Sequence, residues 1–302
     1  MSTAELSGTK FFMNFPVTDT SHTLAEYRTR FGYQALEKAL SMAPTDVTKE
    51  VAAAGLLGHG GAAFPAGRKW GVVKLGDGEP HYVCMNADEG EPGTFKDRWL
   101  MEYVPHMSLE GLIIGSYALQ GRHAFIYIRG EFDLAYRRMA EAIEEAYAAG
   151  LLGENILGTG YSLDVVLYRG AGSYVCGEAS AMLASLEGKK GWPRNRPPRL
   201  TVKGLYQKPT VVNNVETLAN VPVILRLGAA ELSGMGRRTT TDGWRGRIRP
   251  AKAAGEERGT SRGLKRRERT ARRRAVISYP GRVSGRCSGR REGRPGKSRR
   301  RR

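Results

Sequence analysis

Cysteine is the scarcest reactive residue in this 302-residue chain, with only Cys84, Cys176 and Cys287. An odd, widely spaced set excludes a disulfide framework. There is no Cys-x-x-Cys and the five histidines are scattered, so the chain by itself offers no zinc or iron–sulfur ligand set. Long apolar runs are missing too. The most apolar stretch, 112–119, is far short of the ~20 residues that cross a bilayer, and residues 1–10 lack the basic start and apolar run of a secretory signal. The expectation is a cytoplasmic chain that meets a membrane only through partners.

Acidic residues are scarce in one place only. The formal charge is +18, which invites a nucleic-acid or membrane-surface reading. Yet 231–302 holds 25 of the 48 Lys/Arg and 6 of the 30 Asp/Glu, leaving residues 1–230 at a net −1. The first three quarters are therefore electrostatically ordinary. Residues 230–302 contain six Leu, Ile, Val or Phe in 73 positions, below the ~20% at which chains remain disordered, and no sustained periodicity. They are predicted to form an Arg-rich disordered tail, because so little apolar surface cannot offset chain entropy.

Periodicity divides the rest. Residues 1–50 read as helices: Thr23 and Glu26 have capping-box spacing, Leu24, Tyr27 and Phe31 follow at helical intervals, and 33–42 and 47–57 supply two more helical runs. Beyond Gly58, strands at 81–85, 124–128 and 163–167 alternate with helices at 108–120, 131–150 and about 178–186. In 131–150, Ala135, Met139, Ala142, Ile143 and Ala146 line one face. This order predicts an α/β fold, a Rossmann-like layered domain with a largely parallel sheet. The expected organisation is an N-terminal helical segment 1–50, an α/β domain 51–229 and the tail 230–302.

Four segments carry candidate chemistry. The first, Gly58 to Trp70, is a glycine-rich loop that lets backbone N–H groups approach an anion, with Lys69 as a mobile charge. It follows a helix and has Ala63 in the sixth position, so it departs from the strand-borne dinucleotide fingerprint; a tight connection is the plain alternative. The second, Asn86 to Arg98, sets Asp88, Glu89 and Glu91 just after a strand, where open α/β sheets bind ligands, or where a solvated acidic turn would also sit. The third, Arg169 to Leu183, reads as strand, glycine turn and helix start, a geometry that faces a phosphate or flavin; Cys176 beside a carboxylate reads as a structural thiol. The fourth, Lys208 to Thr217, contains Asn213 and Asn214, which suit polar flavin edges or simply cap a helix.

Taken in order, GxGGAxFPxGxKW, NADExEPGTFKDR, GAGxYxCGE…SLEGKxGxPRxRPP and KPTVVNNVETLAN resemble the 51-kDa NADH-binding flavoprotein subunit of complex I, over roughly residues 20–228. Flavin subunits of NAD-linked hydrogenases and formate dehydrogenases share these runs. The resemblance implies non-covalent FMN that takes a hydride from NADH and passes electrons towards quinone. Carried over by position, it implies FMN contacts from Gly58, Gly60, Lys69, Asn86, Asp88, Glu89, Glu91, Tyr174, Gly177, Glu178, Asn213, Asn214 and Thr217. NADH would meet Gly61, Phe64, Glu91 and Arg196, with Glu91 near the reacting rings as the catalytic candidate. The implied partners are other subunits of a respiratory or related complex, including a 24-kDa-type 2Fe-2S subunit, placed peripherally on the cytoplasmic side of a membrane.

Several positions depart from the family pattern. Ala179 stands where a second Glu is usual, Arg199 where an aromatic follows Arg-Pro-Pro, Ala63 for a glycine and His59 for an arginine. The loss of a carboxylate and an aromatic bears on NADH against NADPH. The family continues into a ubiquitin-like domain and a helical domain whose Cys motif holds a 4Fe-4S cluster, whereas here only Cys287 follows Cys176. The tail therefore has three readings: a nucleic-acid arm, a solvated linker, or out-of-frame translation of a GC-rich gene. The abrupt break where the family sequence continues favours the third, so no nucleic-acid partner is expected. The rival functions are a hydrogenase or formate dehydrogenase flavin subunit, and a non-catalytic flavin-domain remnant with a nucleic-acid-binding tail.

Overall fold

Alternation with a period of two builds the centre of the molecule. In a computed structural model, which describes residues 17–235, four strands pair in parallel: β1 (Tyr82–Ala87), β2 (His123–Ile128), β3 (Asp164–Arg169) and β4 (Thr210–Asn214). Their order is β3-β2-β1-β4. Val83, Met85 and Ala87 of β1 and Ala124, Ile126 and Ile128 of β2 enter the larger core; Cys84 and Tyr127 point to a smaller one on the opposite face. Parallel strands need crossover helices, which cover both faces, so the central strands β1 and β2 are apolar on both sides, while the edge strand β3 stays partly exposed.

Helices α6 (Pro105–Ala118), α7 (Asp133–Ala148) and α9 (Val215–Leu227) fill the larger face, and α8 (Ala179–Leu186) the smaller. All of α6 except Tyr117 is buried. It crosses α9 at Gly111, where an added Cβ would lie 2.0 Å from the Leu218 carbonyl oxygen, so only glycine permits this approach. The amphipathic helix expected at 131–150 is α7, and its buried residues are the five apolar positions read from the sequence.

The short helices α1 (Leu24–Arg28), α2 (Gln34–Leu40) and α3 (Pro44–Ala53) contribute Tyr27, Leu36, Val47 and Val51 to the same larger core. The capping box at Thr23 is half formed: Thr23 accepts from the Glu26 N–H, while the Glu26 carboxylate pairs with Arg30. Glu110 of α6 is buried beneath these helices, accepting from the Tyr27 hydroxyl at 2.5 Å and the Leu36 N–H at 3.0 Å. Two further helices escape the periodicity, α4 (Ala66–Trp70) and α5 (Lys96–Tyr103), as does β4. The segment expected to start the tail opens with α10 (Ala229–Met235), which packs on α3 and α9 with Ala229 and Leu232 buried. The remainder of the expected tail, Cys287 included, lies outside the described residues.

The topology creates a crevice. From β1 the chain moves outward to β2 and β3, then returns across the sheet to β4 on the other side of β1. Loops leaving β1 and β4 therefore diverge, and the gap between their carboxyl ends is where doubly wound sheets bind ligands.

Candidate functional site

All four sequence motifs border this gap. The glycine loop is pinched by the Leu57–Pro65 bridge, with the Gly58 N–H donating to the Phe64 carbonyl at 2.9 Å. A Cβ on Gly58 would lie 3.1 Å from that carbonyl, and one on Gly60 would lie 3.4 Å from the Asn214 side chain. Gly61 and Ala63 both have positive φ, 99° and 50°, the left-handed region that suits glycine; Ala63 bears the strain of a side chain there. Thr217 anchors the loop, its Oγ1 accepting the His59 N–H at 2.9 Å. Lys69, on α4, donates from Nζ to the Val212 carbonyl at 2.9 Å on the outer edge of β4. Burial, and then the nearby Arg196, hold its ammonium below the usual lysine range.

The acidic segment begins inside β1, since Asn86 is still in the strand. Its Nδ2 donates to the Gly177 carbonyl at 2.9 Å and its Oδ1 accepts the Asp88 N–H at 3.1 Å, tying the second motif to the third. Glu89 caps α5 by accepting the Asp97 and Arg98 N–H groups at 3.1 and 3.0 Å; burial first, then Asp97, raise its pKa. Glu91 stays on the exposed rim and accepts the Tyr174 hydroxyl at 2.6 Å. Asp88 is buried, and its Oδ1 has no hydrogen-bond partner. Burial raises its pKa to about 6, with Arg129 opposing and Glu131 adding to the shift.

The third motif differs from the expected open helix start. Glu178 is itself the N-cap of α8: its Oε2 accepts the Ser180 and Ala181 N–H groups at 2.8 and 3.0 Å, and its Oε1 pairs with Arg196 at 2.7 Å. Burial works against the carboxylate, but the Ser180 hydroxyl and these N–H groups outweigh it and hold the pKa below the usual range. The donors of that helix end are already used, so what faces the crevice here is Tyr174 and Gly177 in the preceding 3-10 turn, Tyr174–Gly177.

In the fourth motif the two asparagines divide. Asn214 caps α9, its Oδ1 accepting the Glu216 N–H at 3.1 Å, as the plainer reading allowed. Asn213 is buried with both side-chain polar atoms unpartnered. A charged cluster that the motif reading did not single out lies beneath. Lys96 Nζ sits 2.7 Å from Asp97 Oδ1 and 3.1 Å from Glu216 Oε2, and Asp97 Oδ2 accepts from Asn214 Nδ2 at 2.6 Å. Burial works against the ammonium, but Asp97 and then Glu216 outweigh it and raise the Lys96 pKa. Arg129, at the carboxyl end of β2, was also missed. Its position directly after a strand is the signal that marks it.

Of the expected dinucleotide contacts, Phe64 is 43% exposed with the Arg68 guanidinium 5.9 Å from its ring centre, while an added Cβ on Gly61 would meet nothing within 4 Å. Arg196 lies against Glu178. Glycine loops, a buried carboxylate and an unpartnered amide at a topological switch point define a nucleotide- or flavin-binding α/β domain. Residues 51–223 match the model of the Nuo51 FMN-binding domain, and the chain belongs to that family.

It is 54% identical over 218 residues to an NADH-quinone oxidoreductase subunit of Streptomyces coelicolor, covering 72% of this chain and 49% of that one. Against the corresponding protein of Aquifex aeolicus it is 52% identical over 215 residues, covering 71% and 50%. Among solved structures it is similar to an NAD+-reducing [NiFe]-hydrogenase in the H2-reduced state, with TM-score 0.64, 34% identity, and coverage of 78% of this chain and 39% of that one. The chain spans about half the length of the curated relatives it matches. Among the described residues no helix is long and apolar enough to cross a membrane.

Proposed function

We propose that this chain binds FMN non-covalently in the β1–β4 crevice and serves as the NADH-oxidising flavoprotein part of an NADH-quinone oxidoreductase. The observation that carries the reading is the convergence of four motifs on one switch point, where the buried Asp88 Oδ1 and the Asn213 amide have no partner within the protein. Such atoms are costly unless a ligand meets them. Gly58 and Gly60 let the loop close on its own Phe64 carbonyl and against Asn214, which holds its backbone at the crevice, and Lys69 supplies positive charge beside β4.

Bound FMN would supply hydride acceptance and onward one-electron transfer. The protein's share is to bind and orient. Gly58, Gly60, Lys69, Asn86, Asp88, Glu89, Glu91, Tyr174, Gly177, Asn213 and Thr217 line or support the cofactor's place, with Glu178 and Asn214 acting as helix caps that fix its walls. Phe64 and Gly61 would receive NADH, Arg196 would lie alongside, and Glu91, held by Tyr174, would sit near the nicotinamide. The expected partners are other complex subunits, with a 24-kDa-type 2Fe-2S chain as electron acceptor, on the cytoplasmic side of a membrane. Identities of 50% and above to quinone oxidoreductase and NADH dehydrogenase chains, against 34% to the hydrogenase, favour this over the hydrogenase reading.

The test is to titrate the purified chain with FMN by flavin fluorescence quenching and then assay NADH–ferricyanide reduction. Stoichiometric quenching at micromolar FMN is expected. Unquenched flavin at all concentrations would sink the assignment of the crevice.

A further inference from the structure

Arg129 belongs to none of the four motifs, yet it lies beside the end of β1, where the acidic turn that borders the crevice begins. It is the first residue after β2, and its N–H donates to the Ala87 carbonyl at 3.2 Å, tying it to the last residue of β1. Its neighbour Gly130 is pinned as well. A Cβ there would lie 2.4 Å from the Gly170 carbonyl, and Arg169 donates to the Gly130 carbonyl from Nε and Nη2 at 3.1 and 2.9 Å. The backbone beneath Arg129 is therefore held by three strand ends.

The side chain runs under the acidic turn. A Cβ on Gly90 would lie 2.4 Å from Arg129 Nη1 and 3.0 Å from the Tyr174 ring, so the guanidinium sits directly against Gly90, next to the Tyr174 that bonds Glu91. Nη2 pairs with Glu131 at 2.9 Å, while Nη1 is buried and has no hydrogen-bond partner. Asp88, two residues before Gly90, is likewise buried with an unpartnered oxygen. Two unmet groups of opposite charge thus flank one turn.

We propose that Arg129 is a positioning residue of the crevice: from beneath Gly90 it seats the turn 88–91 and supplies the positive field against which Asp88 holds its charge. An ionised Asp88 accepts hydrogen bonds from hydroxyl or imide donors of a ligand, whereas a protonated one loses acceptor capacity. The charged and titratable groups whose fields reach Asp88 are Arg129, Glu131 and Tyr127 from β2 and its following turn, and Gly177 of the 3-10 turn packs on its backbone, where an added Cβ would lie 3.4 Å from the Asp88 carbonyl. Arg129 is the cation among them.

The inference rests on the flavin reading for its ligand, and the test separates the two. FMN is titrated into the full chain, its Arg129→Lys and Arg129→Gln variants and Asp88→Asn, from pH 5 to 8.5. In parallel, the Asp88 carboxyl carbon is titrated by NMR in the flavin-free chain. Wild-type affinity is expected to fall as pH drops through about 6. In Arg129→Gln the midpoint moves upward by about one pH unit, in both the binding and the NMR titrations, because an opposing charge has been removed. Arg129→Lys keeps the midpoint near wild type but binds FMN more weakly, since the planar fork against Gly90 is lost. Asp88→Asn removes the pH dependence. An Asp88 midpoint unchanged in folded Arg129→Gln overturns the proposal whatever the flavin does. Absence of FMN binding to wild type overturns the flavin reading, and the NMR titration then decides Arg129's hold on Asp88 alone.

Discussion

Replacing Lys96 by Met tests how far the site and the fold depend on one cluster. The ammonium lies 2.7 Å from Asp97 Oδ1 and 3.1 Å from Glu216 Oε2, and it donates to Asn214 Oδ1 at 3.1 Å. The two carboxylate side chains are 3% and 5% exposed. At separations near 3 Å and an effective dielectric of about 20, each pair is worth roughly 5 kcal/mol of Coulomb energy. Desolvation cancels much of that, and removing one partner of a buried pair costs about 3–5 kcal/mol because a charge is left unmet. Asp97 would keep the Asn214 amide and the Glu216 N–H as donors, so the lower end, about 3 kcal/mol, is expected at pH 7.5.

The assay is urea unfolding followed by tryptophan fluorescence, with the m-value held constant as a control. Adding Glu216→Gln to Lys96→Met removes the uncompensated charge and should return about half of the loss. A loss below about 1 kcal/mol, or a double variant less stable than the single one, would refute the reasoning that these carboxylates depend on Lys96. Because Asn214 joins the cluster, FMN affinity should fall along with stability.

Gly111→Ala should destabilise the chain by roughly 3 kcal/mol, since its methyl would lie 2.0 Å from the Leu218 carbonyl and force α6 and α9 apart; an unchanged Tm would contradict that close crossing. Burial pushes Glu110 up to about 7 from 4.5, although Tyr27 and two backbone N–H groups pull the other way. The folded state therefore binds this proton more tightly than the unfolded chain. Its contribution, about 3 kcal/mol, is complete below about pH 4.5 and is lost as pH rises through about 7. Urea midpoints should decline over that window in wild type and flatten in Glu110→Gln. Phe64→Ala, at an exposed ring, is expected to raise the KM for NADH several-fold, leaving FMN retention and the urea midpoint unchanged; flavin loss would place Phe64 in the wrong role.

Much of the architecture is written in local patterns. The five buried positions of α7 follow the helical period, and the β1 and β2 residues alternate between two faces as a strand must. β4 was less legible, because five residues ending in Asn-Asn carry little period and look like a cap. Helices α4 and α5 are short, and their positions depend on Lys69 reaching Val212 and Glu89 capping the Asp97 and Arg98 N–H groups, contacts between distant segments.

By itself the sequence determined the near-neutral character of 1–230, the order of three of the four strands and of the longer helices between them, and four motifs specific enough to name a family. Those properties reside in residue type and spacing along the chain. Only the tertiary structure decided that Asn214 caps while Asn213 stays unmet, that Glu178 uses up its own helix end, and that Arg129 lies beneath Gly90. Strand alternation, crossover and burial set those outcomes, and they arise when residues far apart in the chain meet in a low-dielectric crevice.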